Sequence, residues 1–369
     1  MLTRYSRRIL GLAAAFTLGA IAADPDVESL MRNGHWKRAR EAAEAYFHSH
    51  PNDARGAYWL ARARRAFDDF IEAARYAEMA VRLDPKASAY HRELALAYLH
   101  QLETSSMLKA IGMMRKCRDE LDAALAIDPS DPDNLFEKMD FLLQAPGIAG
   151  GDKKKAVDLA ERLLKIDPAR GNLALARIAV KQREFGRLES LYQKAAEVNP
   201  HSYDAQVALA SLYLGNRAVP EDTSSRSRAN FGLAEQHART ALDLNADRID
   251  AYRLLADAFV SQLRLDDAAR TLTHSDEAIP DDLSPYVAAA RAMLRNGVEL
   301  GRAEAYLRKY LAQTKEPEVG APASAGVHRS VAMLYEKEGR LMDARNELET
   351  ALRLKPDFEA ARRDLKRLK

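Results

Sequence analysis

Apolar residues along the chain recur with helical spacing, and each helical run ends at a similar mark. "FHSHP" closes one run at Pro51, "VRLDP" at Pro85, "LAIDP" at Pro129, "LKIDP" at Pro168 and "AEVNP" at Pro200. "LDLNA" follows at Ala246, "DEAIP" at Pro280 and "LRLKP" at Pro356, so the marks are 34, 44, 39, 32, 46, 34 and 76 residues apart. The last interval is two units of 38. A period near 34 is the signature of a helical repeat. Proline supports the reading, because it has no N–H and biases the residue before it away from helix.

A second regularity lies inside each run. Twelve residues before the mark stand Ala39, Ala73, Cys117, Ala156, Leu188, Ala234, Ala268 and Ala344. Five before it stand Tyr46, Ala80, Ala124, Leu163, Ala195, Ala241, Ser275 and Ala351. These residues are mostly small, and small residues let a neighbouring helix approach closely. Val-Ile-Thr-rich alternating runs are scarce, so no sheet is expected.

The unit Val327–Pro356, "VHRSVAMLYEKEGRLMDARNELETALRLKP", resembles the tetratricopeptide repeat. Ala332 and Tyr335 match the small and aromatic positions of its first helix, Gly339 its turn, and Ala344 and Ala351 the packing alanines of its second. Two further units match nearly as well, with Asp68 and Leu263 in place of the turn glycine. The resemblance implies an all-α fold: a right-handed superhelical solenoid of about nine helix pairs with a concave groove. "FEAARRDLKRLK" reads as the C-terminal capping helix, which such a stack needs to cover its last apolar face. Residues 23–369 are expected to form one solenoid, since each unit contacts mainly its neighbours.

Departures from the period locate insertions near 102–112, 145–151, 215–232 and 314–326. Met107, Ile111 and Met114 keep helical spacing, so the first should lengthen a second helix. The second is "PGIAGG". Pro146 ends a helix there, Asp152 caps the next, and Gly150 and Gly151 can take positive φ. A tight turn is the simplest expectation for Pro146, Gly147, Gly150, Gly151 and Lys153. An anion or peptide-carboxylate site on exposed N–H groups is the alternative, and a seal against a partner subunit is a third.

The amino terminus, "MLTRYSRRILGLAAAFTLGAIAADPD", carries Arg4, Arg7 and Arg8, then an apolar run, then Ala20-Ile21-Ala22. That is a secretory signal peptide over residues 1–22, cut near Ala22, and it implies a periplasmic or secreted protein. The apolar run is short for a bilayer span, which needs roughly 20 residues, so the mature chain is expected to have no stable membrane span. Without the three early arginines the formal charge of +2 falls to 53 basic against 54 acidic residues. Nucleic acid is not an expected partner.

Catalytic chemistry finds little support. The nine histidines are scattered, and Cys117 is alone at a packing position. No H-E-x-x-H, G-x-S-x-G or G-x-x-x-x-G-K occurs. The expectation is no enzyme, no catalytic or metal residues and no cofactor.

The repeat template turns Arg55, Tyr58, Arg62, Arg65, Arg92, Arg170 and Arg177 toward the groove, against Asp250, Arg253 and Asp257 later on. Arginine suits bidentate recognition of carboxylates. The function expected is a protein-interaction scaffold of the bacterial envelope whose groove holds a partner segment of acidic character. "PGIAGGDKKKA" is similar to a subset of periplasmic tetratricopeptide proteins, some of which are accessory components of TRAP-type transporters. That resemblance implies the alternative of a transporter accessory binding a small ligand or a substrate-binding protein. Nothing in the residues sets an oligomeric state.

Overall fold

The computed structural model describes residues 26–101, 107–215, 219, 222–313 and 322–368. The expected signal peptide lies outside the described residues, as do parts of the first, third and fourth insertions. The described chain is helical, with no strand among the described residues.

The helices pair consecutively. The first unit is α1 (Val27–Asn33) with α2 (Trp36–Ser49), and the second is α3 (Ala54–Ala66) with α4 (Phe70–Leu83). The third is α5 (Ser88–His100) with the long α6 (Met107–Ile127), and the fourth is α7 (Pro132–Gln144) with α8 (Lys153–Ile166). The fifth is α9 (Pro168–Gln182) with α10 (Leu188–Val198). The sixth is α11 (Tyr203–Tyr213) with α13 (Phe231–Leu244), and the insertion between them forms a short helix, α12 (Thr223–Ser227). The seventh is α14 (Ile249–Ser261) with α15 (Leu265–Ala278), and the eighth is α16 (Ser284–Asn296) with α17 (Leu300–Gln313). The ninth is α18 (Ser324–Lys337) with α19 (Leu341–Leu354), and α20 (Glu359–Arg367) covers its end.

The marked small positions are the contact points of this stack. Ala39, Ala73, Cys117, Ala156, Leu188, Ala234, Ala268 and Ala344 have no exposed surface, and neither do Ala80, Ala124, Ala195, Ala241 or Ala351. A residue without a long side chain there brings the two helix backbones together, and any added volume would force them apart. Capping follows the local sequence. Asp53, Asp69, Asp131, Asp152 and Ser202 each accept hydrogen bonds from backbone N–H groups at their helix starts.

The turn between the helices of a unit commonly needs a left-handed residue. Gly34, Gly297 and Gly339 supply it, with φ of 84°, 68° and 76°. Asp68 and Leu263 stand in the same turns with φ of 61° each, a conformation that costs a side-chain-bearing residue roughly 1–2 kcal/mol.

The stack curves until its beginning meets its seventh and eighth units. Asn33, at the end of α1, donates to Asp247 Oδ2 at 2.7 Å and accepts from Asn245 Nδ2 at 3.2 Å. His35 Nε2 lies 2.8 Å from Asp247 Oδ1, without the alignment of a hydrogen bond. Lys37 Nζ donates to the Asp281 carbonyl at 2.5 Å, and Arg38 lies 3.3 Å from the Asp281 carboxylate. The contacted residues are the connections before α14 and before α16.

Candidate functional site

First helices of successive units line the inner wall, and charged pairs join several of them to the next. Glu28 of α1 accepts from Arg62 of α3 at 2.7 Å, and Arg65 of α3 grips Glu93 of α5 with two bonds of 2.6 and 3.0 Å. Arg92 of α5 donates to Asn134 of α7 at 2.6 Å and to Asp131 at 3.2 Å, and lies 3.3 Å from Asp133. Asp133 also pairs with Arg170 of α9. Asp140 of α7 accepts from Arg177 of α9 at 2.8 Å. Farther on, Asp204 of α11 meets Arg248 at 2.9 Å, Asp257 of α14 meets Arg295 of α16 at 2.7 Å, and Asp364 of α20 meets Arg329 of α18 at 2.7 Å. These partners are 28–44 residues apart, about one repeat.

This ladder changes the picture of a basic N-terminal face. Arg62, Arg65 and Arg92 are only 16, 18 and 14% exposed, and each is already engaged with a carboxylate. The sequence reading counted cations on the groove face. It did not place the acids of the adjacent unit opposite them. Arg55 is exposed, but it is held beside Asp53 at 3.4 Å and the Tyr46 hydroxyl at 3.1 Å, near the Tyr46 and Trp59 rings. Tyr58 packs on Tyr90 with ring centroids 4.9 Å apart, and the Arg62 guanidinium lies 5.3 Å from its ring. These side chains join unit to unit.

Arg170 and Arg177 do reach an open space. A cavity of about 910 Å³ lies on the inner wall of units four to seven. Phe136, Leu173, Val180, Tyr192 and Val207 give it an apolar strip. Arg170, Arg177, Arg248, Asp204 and Asp250 border that strip, and Arg32 of α1 faces it from the first unit. Sequence reasoning missed Arg32 and Arg248. No local signal points to Arg32, which arrives there only because the stack closes on itself.

Glu137 of α7 is the most perturbed acid of the wall. Burial pushes it up to about 7, Arg65 and Arg92 pull it down, and Asp140 and Asp133 push it further up. Cys117 is buried, and its thiol is pushed up to about 12 by that burial, which disfavours the nucleophilic thiolate. Among the described residues no three His, Cys, Asp or Glu side chains converge as metal ligands would. No described helix is long and apolar enough to cross a membrane.

The Pro146–Gly151 stretch folds into a closed turn. Ala149 N–H donates to Pro146 O at 2.8 Å, Gly150 to Gly147 O at 3.0 Å, Gly151 to Pro146 O at 3.0 Å and Asp152 to Leu142 O at 2.9 Å. Asp152 Oδ1 takes the N–H groups of Lys154 and Lys155 at 3.1 Å each. The N–H groups of Ala149, Gly150, Gly151, Asp152, Lys154 and Lys155 are thus engaged within the turn and the helix start. Gly150 has φ of 98°, and a Cβ on Gly151 would stand 1.8 Å from Ala145 O, so both glycines are required by the turn itself. Lys153 is exposed beside it.

Residues 27–87, which span the first two units, match the tetratricopeptide repeat family model, and the same pairing of helices continues to α19. No curated protein sequence matches the chain. Similar solved structures include a thermophilic tetratricopeptide protein of Thermus thermophilus, 20% identical over 50% of this chain and 94% of that one, with a TM-score of 0.44. A tetratricopeptide repeat protein from Parabacteroides merdae is 14% identical over 85% of this chain and 98% of that one, with a TM-score of 0.43. Yeast Tom70 is 12% identical over 94% of this chain and 87% of that one, with a TM-score of 0.48.

Proposed function

We propose that this chain is a non-enzymatic scaffold that holds a segment of a partner protein in the inner cavity of units four to seven. Tetratricopeptide proteins as a class mediate protein–protein interaction. The observation that carries the reading here is the cavity itself, about 910 Å³ with an apolar strip between charged borders. Such a site suits a polypeptide, whose apolar side chains need the strip and whose polar backbone needs the borders. Arg177 is half exposed although it is paired with Asp140, so its guanidinium can still meet a carboxylate or carbonyl of the guest. The border offers both signs of charge, with Asp133, Asp167, Asp204 and Asp250 beside Arg32, Arg170, Arg177 and Arg248, so a guest with both acidic and basic groups fits it.

The test is a photoreactive side chain at Val207, compared with one at exposed Lys194 on α10, followed by identification of what becomes attached in the producing cell. A discrete protein captured at Val207, and lost when Ala208→Trp fills the cavity, is the expected result. Equal capture at both positions, or capture indifferent to Ala208→Trp, would overturn the reading. We also propose that residues 1–22 direct export to the periplasm or exterior. Amino-terminal sequencing of the protein from its native cell should find it beginning near Ala23. An intact, cytosolic Met1 form would oppose export.

A further inference from the structure

We propose that the step from α16 to α18 on the inner wall is a binding site for a carboxylate attached to an apolar carbon body, with Arg291 as its counter-charge. The ladder supplies the argument. At the neighbouring steps an arginine meets an acid, as Arg295 meets Asp257 and Arg329 meets Asp364. Between α16 and α18 the corresponding pair is Arg291 and Ser330, 39 residues apart, with Nε donating to the hydroxyl at 3.0 Å. The hydroxyl cannot balance the charge. It is itself committed as a donor to the Gly326 carbonyl at 3.0 Å.

The surroundings strengthen the electrostatic imbalance. Burial, and then the charges of Arg295, Arg329 and Arg253, depress Arg291 below the ordinary arginine range. Arg295, Arg329 and Arg253 have acids of their own, at Asp257, Asp364 and Asp250. Among the described residues Arg291 has no acid. A half-buried cation without a counter-ion is costly, and a bound anion that takes its free N–H groups removes that cost. A Cβ on Gly326 would lie 3.4 Å from Arg291 Nη2, so the glycine lies directly beside the guanidinium.

Space and polarity define the rest of the ligand. A cavity of about 390 Å³ opens at this step. Arg291, Arg295 and Arg329 form its charged side, and Leu294, Met333 and Phe358 its apolar side. A fully hydrated inorganic anion would leave those apolar groups unused. A carboxylate with a short carbon chain beside it satisfies both sides. Two sources share that chemistry, a free organic acid and the end of a polypeptide with an apolar last residue. The site is separate from the cavity of units four to seven and does not depend on it.

The test titrates the full chain with hexanoate and hexanamide, and with a pentapeptide ending in leucine as free acid and as amide. Both acids should bind at least tenfold more tightly than their amides, and Arg291→Met should remove that preference. Arg291→Met should melt at or above the parent temperature, because it deletes an unbalanced charge, so loss of binding will not reflect unfolding. Arg291→Lys, which keeps the charge but not the planar fork, should bind with intermediate strength. A peptide acid bound tenfold more tightly than hexanoate would assign the polypeptide source, and equal affinities the free acid. The proposal is overturned if acids and amides bind alike, if none binds, or if Arg291→Met binds as the parent does. It is also overturned if binding appears only in Glu316→Gln/Glu318→Gln, since the chain's own connector would then be the occupant.

Discussion

His35 Nε2 lies 2.8 Å from Asp247 Oδ1, joining the first unit to the connection that opens the seventh. His35 is 2% exposed, so this junction is a packed contact and not only a surface pair. With Asn33, Asn245, Lys37 and Asp281 it fastens the ring that puts Arg32 opposite the inner cavity. Asp247 is half exposed, and Asp247→Ala should cost about 1 kcal/mol. His35→Ala should cost about 2 kcal/mol, because it also empties a buried position. Both should enlarge the radius of gyration measured by small-angle scattering, more strongly at high salt. Unchanged scattering from both variants would mean that the ring does not depend on this junction.

Arg65 and Glu93 form the most enclosed rung of the ladder, 18 and 5% exposed. Removing one partner strands the other's charge. Arg65→Met is expected to destabilise by about 3 kcal/mol, whereas Arg65→Met/Glu93→Gln should recover more than half of that. Chemical denaturation of the two variants decides it. A double variant no more stable than Arg65→Met would show that the pair is not coupled.

Glu137 supplies a pH dependence. Its carboxyl is raised to about 7 in the folded chain, above its ordinary 4.5, with burial as the main cause. The folded state therefore prefers the protonated form. The sign follows: this contribution to stability is fully present below about pH 4.5 and is lost as pH rises through about 7. Glu137→Gln cannot ionise, so it should stabilise the chain at pH 8, by on the order of 2 kcal/mol, and change little at pH 4.5. Melting temperatures at the two pH values test it. A greater gain at the lower pH would contradict the assignment.

The turns give a paired test of backbone conformation. Leu263 occupies the left-handed region at φ 61°, where Gly339 sits in the ninth unit at φ 76°. Leu263 is 62% exposed, so its side chain contributes little packing. Leu263→Gly should gain a few tenths of a kcal/mol, while Gly339→Ala should lose about 1 kcal/mol. Within the Pro146–Gly151 turn, Gly151→Ala should be far more damaging than Gly147→Ala, since a Cβ at Gly147 meets nothing within 4 Å. Similar melting temperatures for those two variants would show that the turn relaxes easily.

Much of this fold was legible from spacing alone. Close helix packing leaves a trace at every unit, as Ala73, Ala156 and Ala268 show. The long α6 was legible from Met107, Ile111 and Met114, and the cap of α8 from Asp152. The candidate site was legible only in part. Arg170 and Arg177 reach the inner cavity. Arg62, Arg65 and Arg92 face the same wall but are taken up by acids one unit away. A search for acids 28–39 residues from each groove arginine would have found those rungs, but only the tertiary structure gives Asp257 to Arg295 and leaves Arg291 facing Ser330.

The sequence by itself determined that the chain is a stack of helix pairs, because the contacts that build such a stack are local and repeat with the chain. Only the tertiary structure decided which charges neutralise one another, that the first unit meets the seventh, and that Arg32 faces the inner cavity. The physical reason is accumulation. Each unit rotates slightly against the last, and no residue records the sum of those rotations. That sum brings Asn33 to Asp247, 214 positions apart in the chain.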